Sequence, residues 1–332
     1  MTAPPFHTRL GRTALKIGRF CLGTVNFGGR VDEAEGHAIM DRALEHGINL
    51  FDTADMYGWR VHKGYTEETI GRWFAGGNGR RDSVVLATKV GNPVGDGPND
   101  EGLSAHHIIA ACEASLRRLR TDHIDLYQMH RMDENAHWDE IWQAFETLTT
   151  QGKVRYVGSS NFAGWHLATA QQTAARRGFL GIVSEQCVYN LVTRHPELEV
   201  IPAAQAYGVA VLPWSPLHGG LLAGVLNKLR AGTAVKSAQG RAAETLDRHR
   251  EALQAYEKFC GELGRDPALV GLAWLLSRPG VTAPVIGPRT VGQLDAAMGA
   301  FDVELSQGDL AVLDSLFPPI GNGGAAPDAW IT

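Results

Sequence analysis

Short apolar runs alternate with longer amphipathic stretches along most of the chain from residue 20 onward. The apolar runs are rich in Val, Ile and Leu, and the stretches between them repeat their apolar positions with the spacing of an α-helix. This alternation is typical of a parallel β-sheet whose strands are joined by covering helices. The pattern predicts strands over residues 20–23, 49–53, 84–89, 124–129, 154–159, 183–187, 210–213 and 282–286.

The amphipathic stretches predict helices, and several carry signals for where a helix begins or ends. Asp32 and Ser104 are predicted N-caps, while Gly47 and Gly178 are predicted C-terminal stops. The helices are predicted over residues 32–46, 66–74, 104–119, 139–149, 163–176 and 267–276.

Eight strand-helix units without a linker rich in Pro and Ser predict the α/β class and one closed (β/α)8 TIM barrel. We expect it to span residues 1–332 as a single domain rather than a two-domain open sheet. Residues 6–19 alternate around a Gly-Arg pair and predict a β-hairpin that closes the bottom of the barrel. The long segment 218–266 predicts a cofactor-covering loop followed by an extra helix over 245–262, and the tail 321–332 is expected to be irregular.

Composition narrows the class of partner. Lys and Arg number 31 against 36 for Asp and Glu, so the net charge of -5 provides no basic surface for nucleic acid or an anionic membrane. We therefore expect a small-molecule partner, while the oligomeric state is not indicated. With no signal-peptide pattern and no long apolar run, a soluble cytoplasmic protein is expected. The dispersed cysteines predict reduced core residues: Cys21, Cys112, Cys187 and Cys260.

Polar residues end three of the predicted strands or follow them closely. Asp52 ends the second strand and Tyr57 comes five residues later, Lys89 ends the third strand, and His130 follows the fourth. Each alone has an ordinary interpretation, such as a loop cap, a packed ring, an extended lysine or a core histidine. Together they predict a tuned general acid, because Lys89 would lower the pKa of Tyr57 and Asp52 would fix Lys89 as an ion pair.

The segments FDTADMYG, LATKV and LYQMH, in this order and at these intervals, resemble the active-site blocks of the aldo-keto reductase superfamily, and the match covers nearly the whole chain. The resemblance implies a catalytic tetrad of Asp52, Tyr57, Lys89 and His130. Tyr57 would protonate a carbonyl oxygen while a nicotinamide delivers hydride to the carbon, and His130 would orient and polarise the carbonyl. Tyr57, Trp59 and His130 would contact the substrate.

A cofactor site in the barrel is also implied, since no G-x-G-x-x-G follows the first strand and a Rossmann site is not indicated. By resemblance, Ser160, Asn161 and Gln186 would hold the nicotinamide carboxamide, and Trp214 would lie against the ring. Backbone groups of Ser215, Leu217 and Gly219 would meet the pyrophosphate. The complete predicted set comprises Gly23, Thr24, Val25, Asp52, Ser160, Asn161, Gln186, Trp214, Ser215, Pro216, Leu217, His218, Gly219, Gly287, Arg289 and Gln293.

The block APVIGPRTVGQL resembles the adenosine-phosphate site of the family. Because a guanidinium binds phosphate with a rigid fork, Arg289 favours NADP(H) over NAD(H). The chain departs from the family pattern at Ala296 and Ala297, where many relatives carry an acidic residue followed by Asn, and at Val225, where many carry Lys. Lys228, Arg230 or Lys236 could replace the missing charge, or cofactor binding could be weaker.

Three other functions fit parts of the pattern. A nicotinamide-binding sensor, as the potassium-channel β-subunits partly are, would share the fold, but those relatives tend to lack the tetrad histidine. A Schiff-base aldolase using Lys89 is disfavoured because Asp52 would keep the lysine protonated. A metal enzyme built on His106, His107 and His130 is the weakest alternative, and no metal is expected.

The substrate is the least readable feature. Trp59, His62 and the polar loop 91–102 favour a bulky hydroxylated carbonyl compound, with a nucleotide-linked deoxysugar as the leading candidate and general aldehydes as the alternative. The same loop is equally compatible with a solvated connector.

Overall fold

A computed structural model describes residues 6–233 and 245–320 of the chain. A short antiparallel pair, β1 His7–Arg9 and β2 Lys16–Gly18, precedes eight parallel strands. The parallel strands are β3 Cys21–Gly23, β4 Leu50–Asp52, β5 Val85–Val90, β6 Ile124–Met129, β7 Val154–Ser160, β8 Ile182–Gln186, β9 Ala210–Val211 and β10 Val285–Ile286. Their order in the sheet is β10-β3-β4-β5-β6-β7-β8-β9.

The two edges of this sheet meet and close it. Val211 of β9 forms a parallel bridge with Val281, and the backbone N–H of Thr282 donates to the carbonyl of Val211 over 2.9 Å. The N–H of Val285 donates to the carbonyl of Pro213 over 2.8 Å. The predicted (β/α)8 barrel is thereby confirmed, and we call the junction of β9 and β10 the seam.

Helices cover the outside of the barrel. They are α1 Glu33–Glu45, α2 Tyr65–Ala75, α3 Ala105–Leu119, α4 Trp138–Thr150, α5 Gly164–Arg176, α6 Val200–Tyr207, α7 Val225–Arg230, α8 Arg250–Glu262, α9 Pro267–Ser277, α10 Val291–Met298 and α11 Gln307–Leu316. Helices α1 to α6 each follow one strand from β3 to β8, whereas α7 and α8 are inserted between β9 and α9. Short 3-10 turns occupy His195–Glu197, His218–Gly220 and Gly299–Asp302.

The predicted helix signals have their expected geometry. The Asp32 side chain accepts a hydrogen bond from the N–H of Glu35 over 2.9 Å, and Ser104 accepts from the N–H of His107 over 3.2 Å. Gly47 and Gly178 have φ values of 75° and 67°, a region that glycine enters without steric cost.

The N-terminal hairpin closes one end of the barrel, as predicted. Leu10 and Ile17 are fully buried in the apolar cluster that fills the barrel interior. Gly11 allows this approach, because a Cβ there would lie only 2.6 Å from the carbonyl oxygen of Gly208.

The barrel interior changes from apolar to polar along the strands. Leu50, Val85 and Leu126 lie in the interior apolar cluster. Further along the same strands lie buried polar residues. Asp52 and Gln128 come two residues after Leu50 and Leu126, and Lys89 comes four residues after Val85. Since alternate residues of a strand face the same side, the apolar layer and the polar layer above it are both set by a period of two.

Two predicted features fall partly outside the described residues. The extra helix expected over 245–262 is present as α8, while residues 234–244 of the preceding loop and the tail 321–332 are not described. All four cysteines are buried and unpaired. No helix in residues 6–233 and 245–320 is long and apolar enough to cross a membrane.

Candidate active site

The predicted tetrad residues lie together at the polar end of the barrel. Nζ of Lys89 donates to Oδ2 of Asp52 over 2.5 Å and to the carbonyl of Thr53 over 2.9 Å. The same ammonium lies 3.4 Å from the hydroxyl of Tyr57. The ring centroids of Tyr57 and His130 are 5.8 Å apart in an edge-to-face arrangement. The four side chains therefore form one connected group.

Burial and charge act in opposite directions on Lys89 and Tyr57. Burial alone would lower the pKa of Lys89, but the ion pair with Asp52 and the contact with Tyr57 outweigh it, so its pKa is raised. For Tyr57, burial raises the pKa above its usual value, and the charge of Lys89 offsets only part of that shift. Lys89 thus lowers the pKa of Tyr57 as predicted, but the net pKa is raised rather than lowered, because burial of the phenol is the larger effect.

His130 is neutral at physiological pH. Burial, followed by the positive charges of Lys89 and Arg131, lowers its pKa to about 3. A neutral imidazole can donate or accept a hydrogen bond without adding a second cation beside Lys89.

Two buried amides fix the other oxygen of Asp52. Nε2 of Gln128 and Nε2 of Gln186 each donate to Oδ1 of Asp52 over 2.9 Å. Gln186 was predicted as a cofactor ligand, whereas Gln128 was missed. The signal for Gln128 was its position in LYQMH, two residues before His130 and hence on the same face of the strand.

A second buried polar cluster lies beside the tetrad. Glu67 accepts hydrogen bonds from Thr88 over 2.6 Å and from Arg118 over 2.7 Å. Asp55 is 1% exposed, and neither of its carboxyl oxygens has a hydrogen-bond partner among the described residues. Burial, and then the neighbouring charge of Glu67, raises the pKa of Asp55 well above its usual value. Asp55 was also missed, because its burial depends on α2 and α3 rather than on its own segment.

The loop after β7 is held by a buried carboxyl beneath it. Glu185 accepts a hydrogen bond from the N–H of Phe162 over 3.0 Å and another from the hydroxyl of Ser159. Burial raises the pKa of Glu185 to about 7. Asn161 in this loop donates to the carbonyl of His130 over 3.1 Å and accepts from Nε1 of Trp214 over 3.0 Å. The loop thus connects the tetrad to the segment after β9.

A cavity of about 950 Å³ opens from Tyr57 across the ends of the strands. It is lined by every predicted cofactor residue except one: Gly23, Thr24, Val25, Asp52, Ser160, Asn161, Gln186, Trp214, Ser215, Pro216, Leu217, Gly219, Gly287, Arg289 and Gln293. These residues come from both sides of the seam and from the strands opposite. The lining combines amides, which suit a carboxamide, with small residues and an arginine, which suit phosphates. These groups fit a nicotinamide dinucleotide.

His218 is the exception among the predicted cofactor residues. It does not line the large cavity, and its buried ring lies against the hydroxyls of Thr193 at 3.3 Å and Thr245 at 3.0 Å. The ring of His218 therefore does not line the cavity, and a contact between this residue and the cofactor stays a prediction for its backbone in the turn His218–Gly220.

The cavity loops contain unusual backbone conformations. Asn161, Ser215 and His218 have φ values of 61°, 54° and 46°, in the left-handed region that residues other than glycine rarely adopt. Such conformations cost about 1–3 kcal/mol each and persist where the surrounding structure fixes them. Here the hydrogen bond from Asn190 Nδ2 to the carbonyl of Ser215, at 3.0 Å, is one such constraint.

Arg289 lies just before α10 at the far end of the cavity. Its backbone N–H donates to the side-chain oxygen of Gln293 over 2.9 Å, and Thr290 caps the helix by accepting from the N–H of Gln293 over 3.1 Å. The guanidinium of Arg289 has no carboxylate partner within the described ranges. It is therefore available to an anion in the cavity.

The positions that depart from the family pattern also lie at this cavity. Ala296 and Ala297 line it and provide no polar side chain there. Of the three basic residues that could replace a missing lysine, Lys228 lines the cavity and donates to the carbonyl of Ala223. Arg230 instead bonds Asn227 at the surface, and residue 236 is not described.

The predicted substrate side is only partly as expected. Trp59 is 48% exposed, with its ring centroid 6.2 Å from that of Tyr57. His62 instead pairs with Glu68 at 3.2 Å. Within the loop 91–102, only Asn92 lines the large cavity, because the remainder folds around Asp100.

Several lining residues were not predicted from sequence. They include Asn26, Arg30, Arg131 and Asp266. They lie in loops or before helices, where neither strand period nor motif identifies the side chains that face a cavity. Among the residues that the structure describes, no group of three His, Cys, Asp or Glu is arranged to hold a metal ion.

Comparison with known proteins agrees with this geometry. The family model described as "Aldo/keto reductase family" matches residues 19–317. The chain therefore belongs to the aldo/keto reductase family of oxidoreductases. It is 51% identical to "Uncharacterized oxidoreductase YrpG" of Bacillus subtilis (strain 168), over 98% of this chain and 99% of that protein.

Two more distant relatives have different names. The chain is 33% identical to "Versiconal hemiacetal acetate reductase" of Aspergillus parasiticus, over 94% of this chain and 97% of the relative. It is 31% identical to "Probable voltage-gated potassium channel subunit beta" of Arabidopsis thaliana, over 90% of this chain and 91% of the relative. The family relationship alone therefore does not decide between an enzyme and a channel subunit.

Proposed function

We propose that this protein is an NADP(H)-dependent carbonyl reductase in which Tyr57 is the general acid. The observation that carries the proposal is the buried chain from Asp52 through Lys89 to the Tyr57 hydroxyl, which ends at the large cavity. A dinucleotide bound along that cavity would supply hydride to the carbonyl carbon. The residues of the chain then have to position the carbonyl and provide a proton to its oxygen.

Each tetrad residue has a distinct part in that proton transfer. Tyr57 retains its proton because burial raises its pKa, and it donates that proton to the carbonyl oxygen as negative charge develops there. Lys89 lies 3.4 Å from the phenol oxygen and stabilises the tyrosinate that remains. Asp52 holds Lys89, and neutral His130 can hydrogen-bond the carbonyl oxygen.

The preference for NADP(H) is supported by the free guanidinium of Arg289. The 2′-phosphate is the group that distinguishes the two cofactors, and arginine binds phosphate through two parallel hydrogen bonds. Lys228 is the basic residue best placed to add charge at the pyrophosphate, since it lines the same cavity.

A cofactor-binding sensor is the second candidate, and the similarity to a channel β-subunit favours it. The geometry of the tetrad supports catalysis instead. All four side chains are present and in contact, and a protein that only binds the cofactor has no need for a proton donor stabilised by a buried ion pair.

For the substrate, we favour a polar carbonyl compound larger than a simple aldehyde, with a nucleotide-linked keto-sugar as the leading candidate. Asn92 and Arg131 support this, since both place hydrogen-bonding groups on the cavity wall. The relative named a versiconal hemiacetal acetate reductase makes an aromatic substrate the alternative, and the exposed ring of Trp59 would suit it.

The test is a panel of aldehydes and ketones followed by NADPH oxidation, repeated with Tyr57→Phe. We expect kcat of the variant to fall by roughly 10²–10⁴-fold, while the Kd for NADPH changes little, because no other described proton donor is placed to replace the phenol. Tyr207→Phe is the matched control, since Tyr207 lies on α6 and its hydroxyl accepts a hydrogen bond from Gln172 over 3.3 Å, away from the tetrad. Near-normal turnover by Tyr57→Phe would rule out Tyr57 as the acid, and no oxidation with any carbonyl would favour the sensor.

A further inference from the structure

A second cavity, of about 140 Å³, lies beside the large one. It is formed between the loop after β3 and the loop after β4. We call it the side chamber, defined by its lining residues Val25, Asn26, Phe27, Gly29, Arg30, Gly58, Trp59 and Arg60. Val25, Asn26 and Arg30 also line the large cavity, so the two spaces adjoin.

The side chamber carries positive charge without a matching negative group. None of its lining residues is Asp or Glu. Arg30 and Arg60 have no carboxylate partner in the parts of the chain that are described. The two charges are close enough to act on each other, because burial, then the charge of Arg60 and then that of Arg289 lower the pKa of Arg30.

The stem of the exposed Arg60 side chain packs at the edge of this chamber. A Cβ on Gly29 would lie 2.7 Å from Cδ of Arg60, so the stem of Arg60 packs directly over the Gly29 backbone. A larger residue at position 29 would displace it. Glycine here thus permits the second arginine to approach the first.

Among the described residues, the backbone around the chamber has N–H groups without a backbone partner, as well as carbonyls without one at Gly29, Trp59 and Arg60. The N–H groups of Gly29, Trp59 and Arg60 have no backbone acceptor within residues 6–233 and 245–320. By contrast, the carbonyls of Asn26 and Gly58 already accept two hydrogen bonds each. The feature that favours an anion is therefore the pair of guanidinium groups, because arginine binds carboxylate and phosphate through charge-assisted hydrogen bonds.

The position of the chamber indicates which anion it would bind. Trp59 is one of its walls and is also in edge contact with Tyr57, at a ring-centroid distance of 6.2 Å. Arg289 and Gln293, at the expected 2′-phosphate end, do not line the chamber. Two other contacts connect the chamber to the cofactor end, since Nδ2 of Asn26 donates to the carbonyl of Gly287 over 2.9 Å and the charge of Arg289 acts on Arg30. The chamber therefore lies between the predicted reacting carbonyl, on the side of Trp59, and the adenosine-phosphate block, on the side of Arg30 and Asn26.

We propose that the side chamber is a substrate subsite in which Arg30 and Arg60 bind a carboxylate or phosphate group of the carbonyl substrate. The inference rests on the reductase function proposed above and narrows its substrates to anionic ones. The arginines act on binding and orientation, while the proton still comes from Tyr57.

The experiment compares matched probes that differ only in charge. 4-Carboxybenzaldehyde and its neutral ester, methyl 4-formylbenzoate, are reduced with NADPH by the wild type, Arg30→Gln, Arg60→Gln and Arg9→Gln. Arg9 is the control because it is exposed in β1, in the hairpin at the opposite end of the barrel, and its loss changes the net charge equally. The Kd for NADPH is measured by fluorescence for each protein.

We expect the wild type to prefer the carboxylate probe in kcat/KM, and each chamber variant to lose about tenfold of that preference. Activity on the ester, the Kd for NADPH and the behaviour of Arg9→Gln should remain unchanged. Equal kcat/KM for the two probes in the wild type, or an unchanged preference in both variants, would overturn the subsite. A weaker Kd for NADPH with equal losses on both probes would assign the arginines to the cofactor instead.

A binding measurement separates this proposal from the function on which it rests. Terephthalate, which has carboxylates but no reducible carbonyl, is titrated by calorimetry into protein saturated with NADP⁺. Binding by the wild type that is lost in Arg30→Gln and Arg60→Gln supports the chamber even if neither aldehyde is turned over. Absence of binding to the wild type contradicts it even if both aldehydes are reduced.

Discussion

The Tyr57 hydroxyl lies 3.4 Å from Nζ of Lys89, and its proton is subject to two opposed effects. Burial favours the neutral phenol, whereas the ammonium favours the tyrosinate. The neutral form prevails before reaction, and the nearby charge becomes useful when the proton leaves. This is the behaviour that the proposed general acid needs, since it has to hold its proton at neutral pH and be stabilised when the proton leaves.

The raised pKa of Tyr57 and the lowered pKa of His130 predict how catalysis depends on pH. In the proposed mechanism, reduction requires protonated Tyr57, whose pKa is raised, and neutral His130, whose pKa is about 3. Neither group titrates between about pH 5 and 8, so kcat/KM for reduction should be flat in that window and fall only at alkaline pH. A pH profile with wild type and His130→Gln checks this. An acidic limb between pH 5 and 8 that disappears in the variant would show that His130 titrates there.

Asp55 provides a prediction for stability rather than chemistry. Its folded pKa is raised above the unfolded value because the carboxyl is buried beside Glu67. Folding at neutral pH therefore carries the cost of protonating or burying this acid. That cost is absent below the unfolded pKa of about 3.9, grows as pH rises from there to the folded pKa, and is constant above it. Asp55→Asn should raise Tm by a few degrees at pH 7 and much less at pH 4.

Thermal unfolding at the two pH values measures this difference. Asp309→Asn serves as a control, because the half-buried carboxylate of Asp309 already accepts hydrogen bonds from Ser306 in the cap of α11, and the protein should lose stability when it is changed. An Asp55→Asn gain equal at both pH values would mean that the ionisation of Asp55 is not the cause.

Sequence predicted the tetrad positions but not their environment. Asp52 and Lys89 could be identified because a charged residue that ends an apolar strand needs a partner at the barrel mouth. The net direction of the Tyr57 pKa could not, because it depends on how deeply the ring is covered. Asp55 and Glu185 were missed for the same reason, since their burial is produced by other segments of the chain.

At the level of elements, the long periodic segments were predicted well. Helices α3 and α5 begin one residue after the predicted start and end where predicted, and β6 has the predicted bounds. Helix α6 was missed because it is short and carries Pro202 in its first turn, where proline is tolerated although it interrupts the usual helical signal. Helices of this kind are decided by packing rather than by pattern.

The turn before α10 carries the prediction for cofactor choice. Its geometry is fixed by Thr290 and Gln293, while the Arg289 guanidinium is left to bind an anion. We expect the wild type to bind NADPH more tightly than NADH. Arg289→Ala should remove most of that difference, because a charge-assisted contact is worth about 1.5–3 kcal/mol.

Fluorescence titration with both cofactors measures this preference, and Arg289→Lys is the matched variant. Lysine keeps the charge but lacks the planar fork, so an intermediate preference is expected. Equal Kd values for NADPH and NADH in the wild type would remove the case for NADP(H).

At the scale of the whole molecule, the seam between β9 and β10 lies at the large cavity, so the two sides of the seam both contribute to the cavity wall. The barrel is closed there by few backbone hydrogen bonds, from Thr282 to Val211 and from Val285 to Pro213, with a further one from the N–H of Val211 to the Thr282 hydroxyl at 3.2 Å. The cavity is built from both sides of this junction, since Trp214 follows β9 and Gly287 follows β10. The sequence predicted eight strands, but it did not predict that the contact between β9 and β10 would be held by so few hydrogen bonds. That depends on how the strands are paired in three dimensions.

This arrangement predicts that cofactor binding stabilises the seam. A ligand that contacts both sides of the junction binds only the closed barrel, so each opening of the seam also costs the binding free energy, about 2.7 kcal/mol at a ligand concentration of 100 times Kd. Backbone amides of Thr282 and Val285 should therefore exchange with deuterium more slowly when NADPH is present. The amide of Ile124 is the internal control and should change less. It starts β6, donates to the carbonyl of Lys153 over 2.8 Å, and does not line the cavity.

If the seam amides and Ile124 slow by the same factor, the ligand stabilises the fold globally and the seam opens only with the whole barrel. If the seam amides do not slow at all while NADPH is bound, the dinucleotide does not span the junction, and the placement of Trp214 and Gly287 on the cofactor fails with it.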